Sequence, residues 1–300
     1  MRDIKRILCP VDLSDESEHA IEHALAIARW YKSTITALHV CNPLVIPATD
    51  MTLVGPAIPP ILTEADIKEA SDEVDACFDR APGGHADVPI NVLVESGPPA
   101  RRILERAKWL AADLMVIGTH GHSGFQHLVL GSVTEKVLRQ AECPVLTIPP
   151  RAHSTSKLPF KRILCPIDFS DSSLAALDFA LSLARESDAG LTILHVLEFP
   201  DMPLTNQPVP TLEYRQVGER DVTTKLAQLV PDADRARCRT TTRLGDGKAY
   251  REILAIATED RADLIVIGVH GRNPLDLMLF GSTTNQVVRR ATCPVLTLRR

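Results

Sequence analysis

The sequence predicts a doubly wound α/β fold that occurs twice along the chain. Short apolar runs rich in β-branched residues alternate with longer amphipathic segments, which is the pattern of repeated βα units. One run, "LMVIG" (114–118), is apolar at successive positions, so we expect this strand to be buried on both faces of a parallel sheet. Long segments also recur, and 300 residues are enough for two ordinary domains.

Strands and helices are predicted in alternating order in the first copy. The strands are expected near residues 4–11, 34–41, 89–95, 113–118 and 144–148. The helices are expected near residues 15–31, 64–80, 99–110 and 132–141. Such an alternation predicts a Rossmann-like domain, with helices on both faces of the sheet.

The repeat is visible in the sequence itself. "KRILCPVDLSD" (5–15) returns as "KRILCPIDFSD" (161–171), and "ADLMVIGTHG" (112–121) returns as "ADLIVIGVHG" (262–271). The offsets of 156 and 150 residues are far longer than a solenoid repeat, so each copy is predicted to be a whole domain. We expect domains at 1–150 and 161–300, joined by a linker at 151–160 within a segment rich in Pro and Ser.

Composition narrows the functional classes. A formal net charge of −5 disfavours a nucleic-acid binder, which usually carries a basic face. The chain has no apolar run long enough for a membrane span, and "MRDIKRILCPVD" lacks the features of a signal peptide, so we expect a cytoplasmic protein. The seven cysteines include no C-x-x-C pair; buried, reduced thiols are expected, and a cysteine metal site has no supporting spacing.

The stretch "GTHGHSGFQHLVLGS" (118–132) is the main candidate for chemistry. In a doubly wound sheet, ligands bind beyond the carboxyl ends of the strands, where strand order reverses. Gly118 and Gly121 are expected to permit positive φ and close approach of a ligand. Gly131 and Ser132 open the next helix, whose free N–H groups and dipole favour an anion.

Two simpler explanations compete with ligand binding. Ser132 followed by Glu135 forms a possible capping box, which needs no ligand. Asp12, at the end of the first strand, is explained either as a ligand contact or as a helix cap. Ser14 and Ser170 are better candidates than Asp12 for that cap. The second copy, "GVHGRNPLDLMLFGS" (268–282), keeps the three glycines and the serine at the same spacing.

Histidines are weaker candidates for ligand contacts than the glycine-containing loops. His120 and His270 match between the copies and could contact phosphate or be purely structural. His19 and His23 lie four residues apart on the first helix, as in some metal sites. Because the second copy has other residues at those two positions, we expect no metal there.

The pattern Gly-x2-Gly-x9-Gly-Ser follows "DLMVIG", and "CPVD" stands at the end of the first strand. With these motifs in both copies, the chain resembles the universal stress protein family, here in tandem. The resemblance implies a five-stranded parallel sheet of order 3-2-1-4-5 in each domain. It also implies that the two domains pair through their last strands, near 144–148 and 294–298, and that ATP binds with Mg²⁺. Whether two chains also form a homodimer is left open.

The resemblance assigns a role to each motif residue. Asp12 and Asp168 would face the adenine–ribose end, and Val40 and Val196 would contact adenine through the backbone. Ribose and phosphates would be held by Gly118, Gly121, Gly131 and Ser132, and in the second copy by Gly268, Gly271, Gly281 and Ser282. Val133 and Thr283 would add backbone donors.

The two loops differ in residues that affect an anion. The second loop has Pro274, which lacks an N–H donor, and Asp276, which would repel phosphate, although Arg272 could offset that charge. We therefore predict tighter nucleotide binding in the first domain.

Three functional hypotheses remain. The first is an ATP-binding regulatory or stress-response protein with little turnover, and the second is a slow ATPase or kinase-like enzyme. The third is a nucleotide-free dimerising scaffold, which the intact glycine motifs disfavour. The sequence shows no Walker lysine, no paired aspartates near the loop and no evident base to orient a water, which disfavours the enzyme.

Overall fold

The structure is a computed structural model of the chain. It describes residues 3–41, 62–120, 130–150, 152, 160–198, 212–230, 238–270 and 280–299. In the first domain the elements are β1 (Arg6–Val11), α1 (Glu16–Tyr31), β2 (Thr34–Cys41), α2 (Glu64–Arg80), β3 (Ile90–Ser96), α3 (Pro99–Trp109), β4 (Leu114–Gly118), α4 (Ser132–Gln140) and β5 (Val145–Ile148). In the second they are β6 (Arg162–Pro166), α5 (Asp171–Ser187), β7 (Gly190–Leu197), α6 (Leu212–Leu229), β8 (Arg239–Asp246), α7 (Ala249–Glu259), β9 (Leu264–Gly268), α8 (Ser282–Arg290) and β10 (Val295–Leu298).

The strands form one continuous ten-stranded sheet. Its order is β3-β2-β1-β4-β5-β10-β9-β6-β7-β8, so each domain contributes five strands in the order 3-2-1-4-5. Neighbours within a domain are parallel. The predicted fold class is therefore confirmed, including the burial of both faces of β4.

The two domains join where β5 meets β10. These strands pair antiparallel, with Leu146 opposite Leu296. Thr147 Oγ1 donates to the carbonyl of Val295 at 3.0 Å, and Thr297 Oγ1 donates to the carbonyl of Val145 at 3.2 Å. The expected pairing of the last strands is present, and its side-chain hydrogen bonds are reciprocal.

Two apolar layers cover the sheet, one on each face, and both run through the two domains. Residues of α1, α2, α5 and α6 pack in one layer, and residues of α3, α4, α7 and α8 pack in the other. Alternate residues of β1 divide between them, with Ile7 in the first layer and Leu8 in the second. On the first face, Tyr31 Oη of α1 donates to Glu186 Oε2 of α5 at 2.7 Å, which adds a polar contact between the domains.

The reversal of strand order lies between β1 and β4. Because β1 pairs with β2 on one side and with β4 on the other, the chains leaving β1 and β4 diverge and leave a crevice at their carboxyl ends. The second domain repeats this arrangement with β6 and β9.

Two further expectations concern the linker and the membrane. Most of 151–160 lies outside the described residues, and its described members, Ala152 and Phe160, are buried. The proposed boundaries of the linker thus stay a prediction. None of the helices in the described ranges combines the length and apolar composition needed to cross a bilayer.

Candidate functional site

Each domain has a cavity at the crevice between its first and fourth strands. The first, of about 410 Å³, lies at the ends of β1, β2 and β4 and the starts of α3 and α4; the second measures about 530 Å³. The predicted site residues within the described ranges line these cavities: Asp12, Val40, Gly118, Gly131, Ser132 and Val133 in the first, and Asp168, Val196, Gly268, Gly281, Ser282 and Thr283 in the second. Gly121 and Gly271, like the loop residues Arg272, Pro274 and Asp276, lie outside the described residues.

The aspartate that follows each first strand is held by neighbouring serines. Asp12 Oδ1 accepts from the hydroxyls of Ser14 at 2.6 Å and Ser17 at 2.5 Å. Asp168 Oδ1 accepts from the hydroxyl of Ser170 at 2.5 Å and from its N–H at 3.0 Å. These bonds fix the orientation of each carboxylate at the cavity wall.

The serines next to the aspartates have different roles in the two domains. Ser170 caps α5 by accepting from the Ser173 N–H at 3.3 Å, as predicted. The same expectation for Ser14 is wrong, because α1 begins after Asp15 without a side-chain cap. Ser14 donates to Asp12, as Ser170 does to Asp168.

The residue after each aspartate has a left-handed backbone. Leu13 has φ of 64° and Phe169 has φ of 65°. Bulky residues rarely adopt this conformation, which costs on the order of 1–3 kcal/mol and tends to persist at ligand sites. This backbone strain occurs in both domains, at the point where the chain turns from strand to helix beside the cavity.

Crowding, and not the backbone angles, restricts the glycines at the strand ends, strongly at Gly268 and slightly at Gly118. Gly118 and Gly268 are absent from the described residues with positive φ, so the expectation of positive φ at Gly118 is wrong. A Cβ on Gly118 would lie 3.3 Å from the carbonyl oxygen of His120, whereas a Cβ on Gly268 would lie 2.7 Å from Ser172. Contacts under 3.0 Å force the backbone to move, so β9 is packed more tightly against α5 than β4 is against α1.

The starts of α4 and α8 offer uncapped backbone donors to the cavities. Gly131 precedes α4 with no side-chain cap, and the first intrahelical bond runs from Glu135 N to Gly131 O at 2.9 Å. The predicted capping box centred on Ser132 is therefore wrong, since Ser132 is the first helical residue. α8 likewise begins after Gly281 without a side-chain cap. Four N–H groups at a helix start lack intrahelical partners, so this geometry suits an anion.

Other lining residues escaped the sequence analysis. Thr134 Oγ1 donates to the Gly118 carbonyl at 2.8 Å, and Thr284 repeats this bond to Gly268 at 2.8 Å, so each threonine ties the strand end to the helix start. The apolar floor is formed by residues of α3 and α7: Pro99, Ile103, Ala249 and Ile253. Most of these positions match at the 150-residue offset, and that repetition was the signal that could have found them.

A histidine on the second strand of each domain contacts the backbone at the end of the first strand, beside the cavity. His39 Nδ1 lies 2.9 Å from the Val11 carbonyl, and His195 Nδ1 lies 2.6 Å from the Ile167 carbonyl. Each contact ties the second strand to the first, directly before the predicted adenine contact. His120 and His270 line the cavities, as a phosphate contact would require, but their role stays a prediction.

The remaining candidate ligands are structural where the chain is described. His23 is fully buried, its Nδ1 lies 2.7 Å from the His19 carbonyl, and burial lowers the pKa of its side chain to about 4. Burial raises the pKa of the Cys9 thiol to about 12 and raises the pKa of the Cys165 thiol as well. Within the described ranges, no group of three His, Cys, Asp or Glu residues is placed to hold a metal ion.

Sequence comparison identifies the family. The profile of the universal stress protein family matches residues 3–149 and 159–299. The chain belongs to the universal stress protein family. It carries two tandem domains of this family, which agrees with the repeat and with the two halves of the sheet.

Relatives match this chain either over its full length or over about half of it. A universal stress protein of Mycolicibacterium smegmatis is 28% identical over 308 residues, covering 98% of this chain and 96% of the relative. A universal stress protein of Methanocaldococcus jannaschii is 34% identical over 146 residues, covering 48% of this chain and 81% of the relative. The crystal structure of a universal stress protein from Archaeoglobus fulgidus, 22% identical, has a TM-score of 0.62 and covers 99% of this chain and 97% of that one, which supports the fold.

Proposed function

We propose that this universal stress protein binds ATP at the two cavities and acts as a nucleotide-dependent regulatory or stress-response protein with little hydrolysis. The observation that carries the proposal is the helix start that lines each cavity, where the glycine before the helix supplies no side-chain cap. The helix N–H groups would bind phosphate.

The remaining lining residues fit the rest of a nucleotide. Ribose hydroxyls are hydrogen-bond donors, and the oriented carboxylates of Asp12 and Asp168 are acceptors at the opposite wall. Val40 and Val196 end strands beside apolar residues, which suits a base. Mg²⁺ would enter with the phosphates and neutralise part of their charge. Gly121 and Gly271 complete the proposed phosphate loops in sequence.

The charge of the cavities supports binding over turnover. The described lining residues include no Lys or Arg in either cavity, whereas phosphoryl-transfer sites generally use such cations to stabilise the transition state. Slow hydrolysis stays a secondary hypothesis, and an ATPase assay with a variant that still binds ATP would test it.

The direct test is to identify what the purified protein carries. Denaturing fresh protein and separating the supernatant by chromatography should release adenine nucleotide, and calorimetry of nucleotide-stripped protein should show ATP binding. Asp12→Ala is expected to remove binding by the first domain. Asp79→Ala is a matched control, because this aspartate is exposed on α2 and lies outside the cavity lining. If neither assay detects adenine nucleotide with wild-type protein, the proposal is wrong.

A further inference from the structure

The two cavities differ by one carboxylate. Among the described lining residues, the first cavity has a single acidic side chain, Asp12, and the second has two, Asp168 and Glu198. The described lining of the second cavity contains no Lys or Arg.

Glu198 is held at the start of α7. It follows β7 directly, and its Oε1 accepts a hydrogen bond from the Ala249 N–H at 2.6 Å. Ala249 is the first residue of α7 and also lines the cavity. This bond keeps the carboxylate at the cavity mouth, at a helix end that favours negative charge.

The first domain lacks this arrangement. At the 150-residue offset, Ala249 corresponds to Pro99, which has no N–H to donate. At the 156-residue offset, Glu198 corresponds to Asn42, which carries no charge and lies outside the described residues. The sequence difference and the hydrogen bond therefore point to one feature, a fixed anion specific to the second domain.

A fixed anion of this kind changes which ligand fits. A volume of 530 Å³ equals that of a sphere about 10 Å across, which is about the Debye length at 0.1 M salt, so Glu198 repels any phosphate in the cavity. An ionised carboxylate accepts up to about four hydrogen bonds, and Ala249 supplies one, so acceptor capacity remains for hydroxyl or amino groups.

We propose that Glu198 determines specificity in the second domain: it weakens the binding of a triphosphate at that site relative to a nucleoside or a nucleotide with fewer phosphates. The proposal rests on the nucleotide binding proposed above and deepens it.

The test isolates the second site. Ser132→Trp fills the first cavity from an exposed position, and Ser282→Trp does the same in the second, so each variant reports on one site. The affinities for ATP and for adenosine are measured by calorimetry at low and high salt. We expect the site left by Ser132→Trp to have a lower ATP-to-adenosine affinity ratio than the site left by Ser282→Trp.

Adding Glu198→Gln to Ser132→Trp is expected to raise the ATP-to-adenosine affinity ratio about three- to tenfold at low salt, and by less at high salt. This is the effect expected from removing one negative charge about 10 Å from the phosphates. Glu259→Gln, at the far end of α7, removes the same charge outside the cavity and should leave the ratio unchanged. An unchanged ratio in Glu198→Gln, with ATP still bound, overturns this inference alone. Absence of binding by either ligand in the wild type overturns both proposals.

Discussion

Substituting the glycine that ends the fourth strand of each domain should affect the two domains unequally. In Gly268→Ala, the new Cβ would lie 2.7 Å from the carbonyl carbon and the hydroxyl of Ser172, and 2.8 Å from the Ser173 nitrogen. Two of these three atoms belong to the backbone of α5 and cannot rotate away. In Gly118→Ala, the nearest atoms are 3.3 and 3.7 Å away, so a shift of a few tenths of an ångström suffices.

The distances translate into different stabilities. Overpacking against a fixed backbone costs about 1–3 kcal/mol, whereas replacing Gly by Ala where φ is negative gains about 0.4–1 kcal/mol through the unfolded chain. Gly268→Ala should therefore lose about 1–2 kcal/mol of unfolding free energy. Gly118→Ala should change stability by less than about 0.5 kcal/mol, because its small strain and its entropic gain nearly cancel.

Urea denaturation of the two variants and the wild type, followed by circular dichroism, measures the difference. Since two domains share one sheet, the transition of each variant should be compared by its midpoint and slope together. Equal midpoints for Gly118→Ala and Gly268→Ala would refute the argument from crowding. A larger loss in Gly118→Ala would show that the first domain is the more tightly packed one.

Two further predictions concern a buried histidine and the domain junction. Burial lowers the pKa of His23 to about 4, so the unfolded chain takes up a proton below about pH 6.5 that the folded chain does not, and stability is lost as pH falls from 6.5 to 4. His23→Phe copies Phe179 of the second domain. The change that it causes in the free energy of unfolding, measured by urea denaturation, should be about 2 kcal/mol more stabilising at pH 5 than at pH 8. A change in unfolding free energy that does not depend on pH would contradict this. Thr147→Val and Thr297→Val should each cost about 1 kcal/mol, because each removes one buried hydrogen bond across the junction, and thermal melts that match the wild type would argue against it.

The sequence predicted the strands and helices well because the hydrophobic pattern of each segment reflects which of its faces are buried in this fold. "LMVIG" is apolar throughout because β4 is covered on both faces, and its predicted span, 113–118, differs by one residue from the observed Leu114–Gly118. The repeat predicted two domains, and the resemblance to the family predicted the strand order. The pairing of β5 with β10 also followed from that resemblance, since no local pattern in four-residue strands specifies a partner.

The predicted site residues that the structure describes line the two cavities, but several reasons given for them were wrong. Ser132 and Glu135 match a capping box, yet the helix begins one residue earlier than that motif requires. Ser14 and Ser170 occupy matching positions, yet only Ser170 caps its helix, because α5 begins directly after Ser170 whereas α1 begins after Asp15. Such choices depend on distances of a few tenths of an ångström, which spacing along a chain does not encode.

By itself, the sequence determined the α/β class and the duplication, and it predicted where a ligand would meet the backbone. These follow from residue type and spacing, which act locally and repeat in both copies. Only the tertiary structure decided that Gly268 is held against α5 by crowding, that Asp12 and Asp168 are oriented by serines, and that Glu198 lies at the second cavity. The contacts of Gly268 and Glu198 join segments distant in the chain, and the serine bonds of Asp12 and Asp168 depend on the folded turn between strand and helix, so spacing along the chain does not specify them.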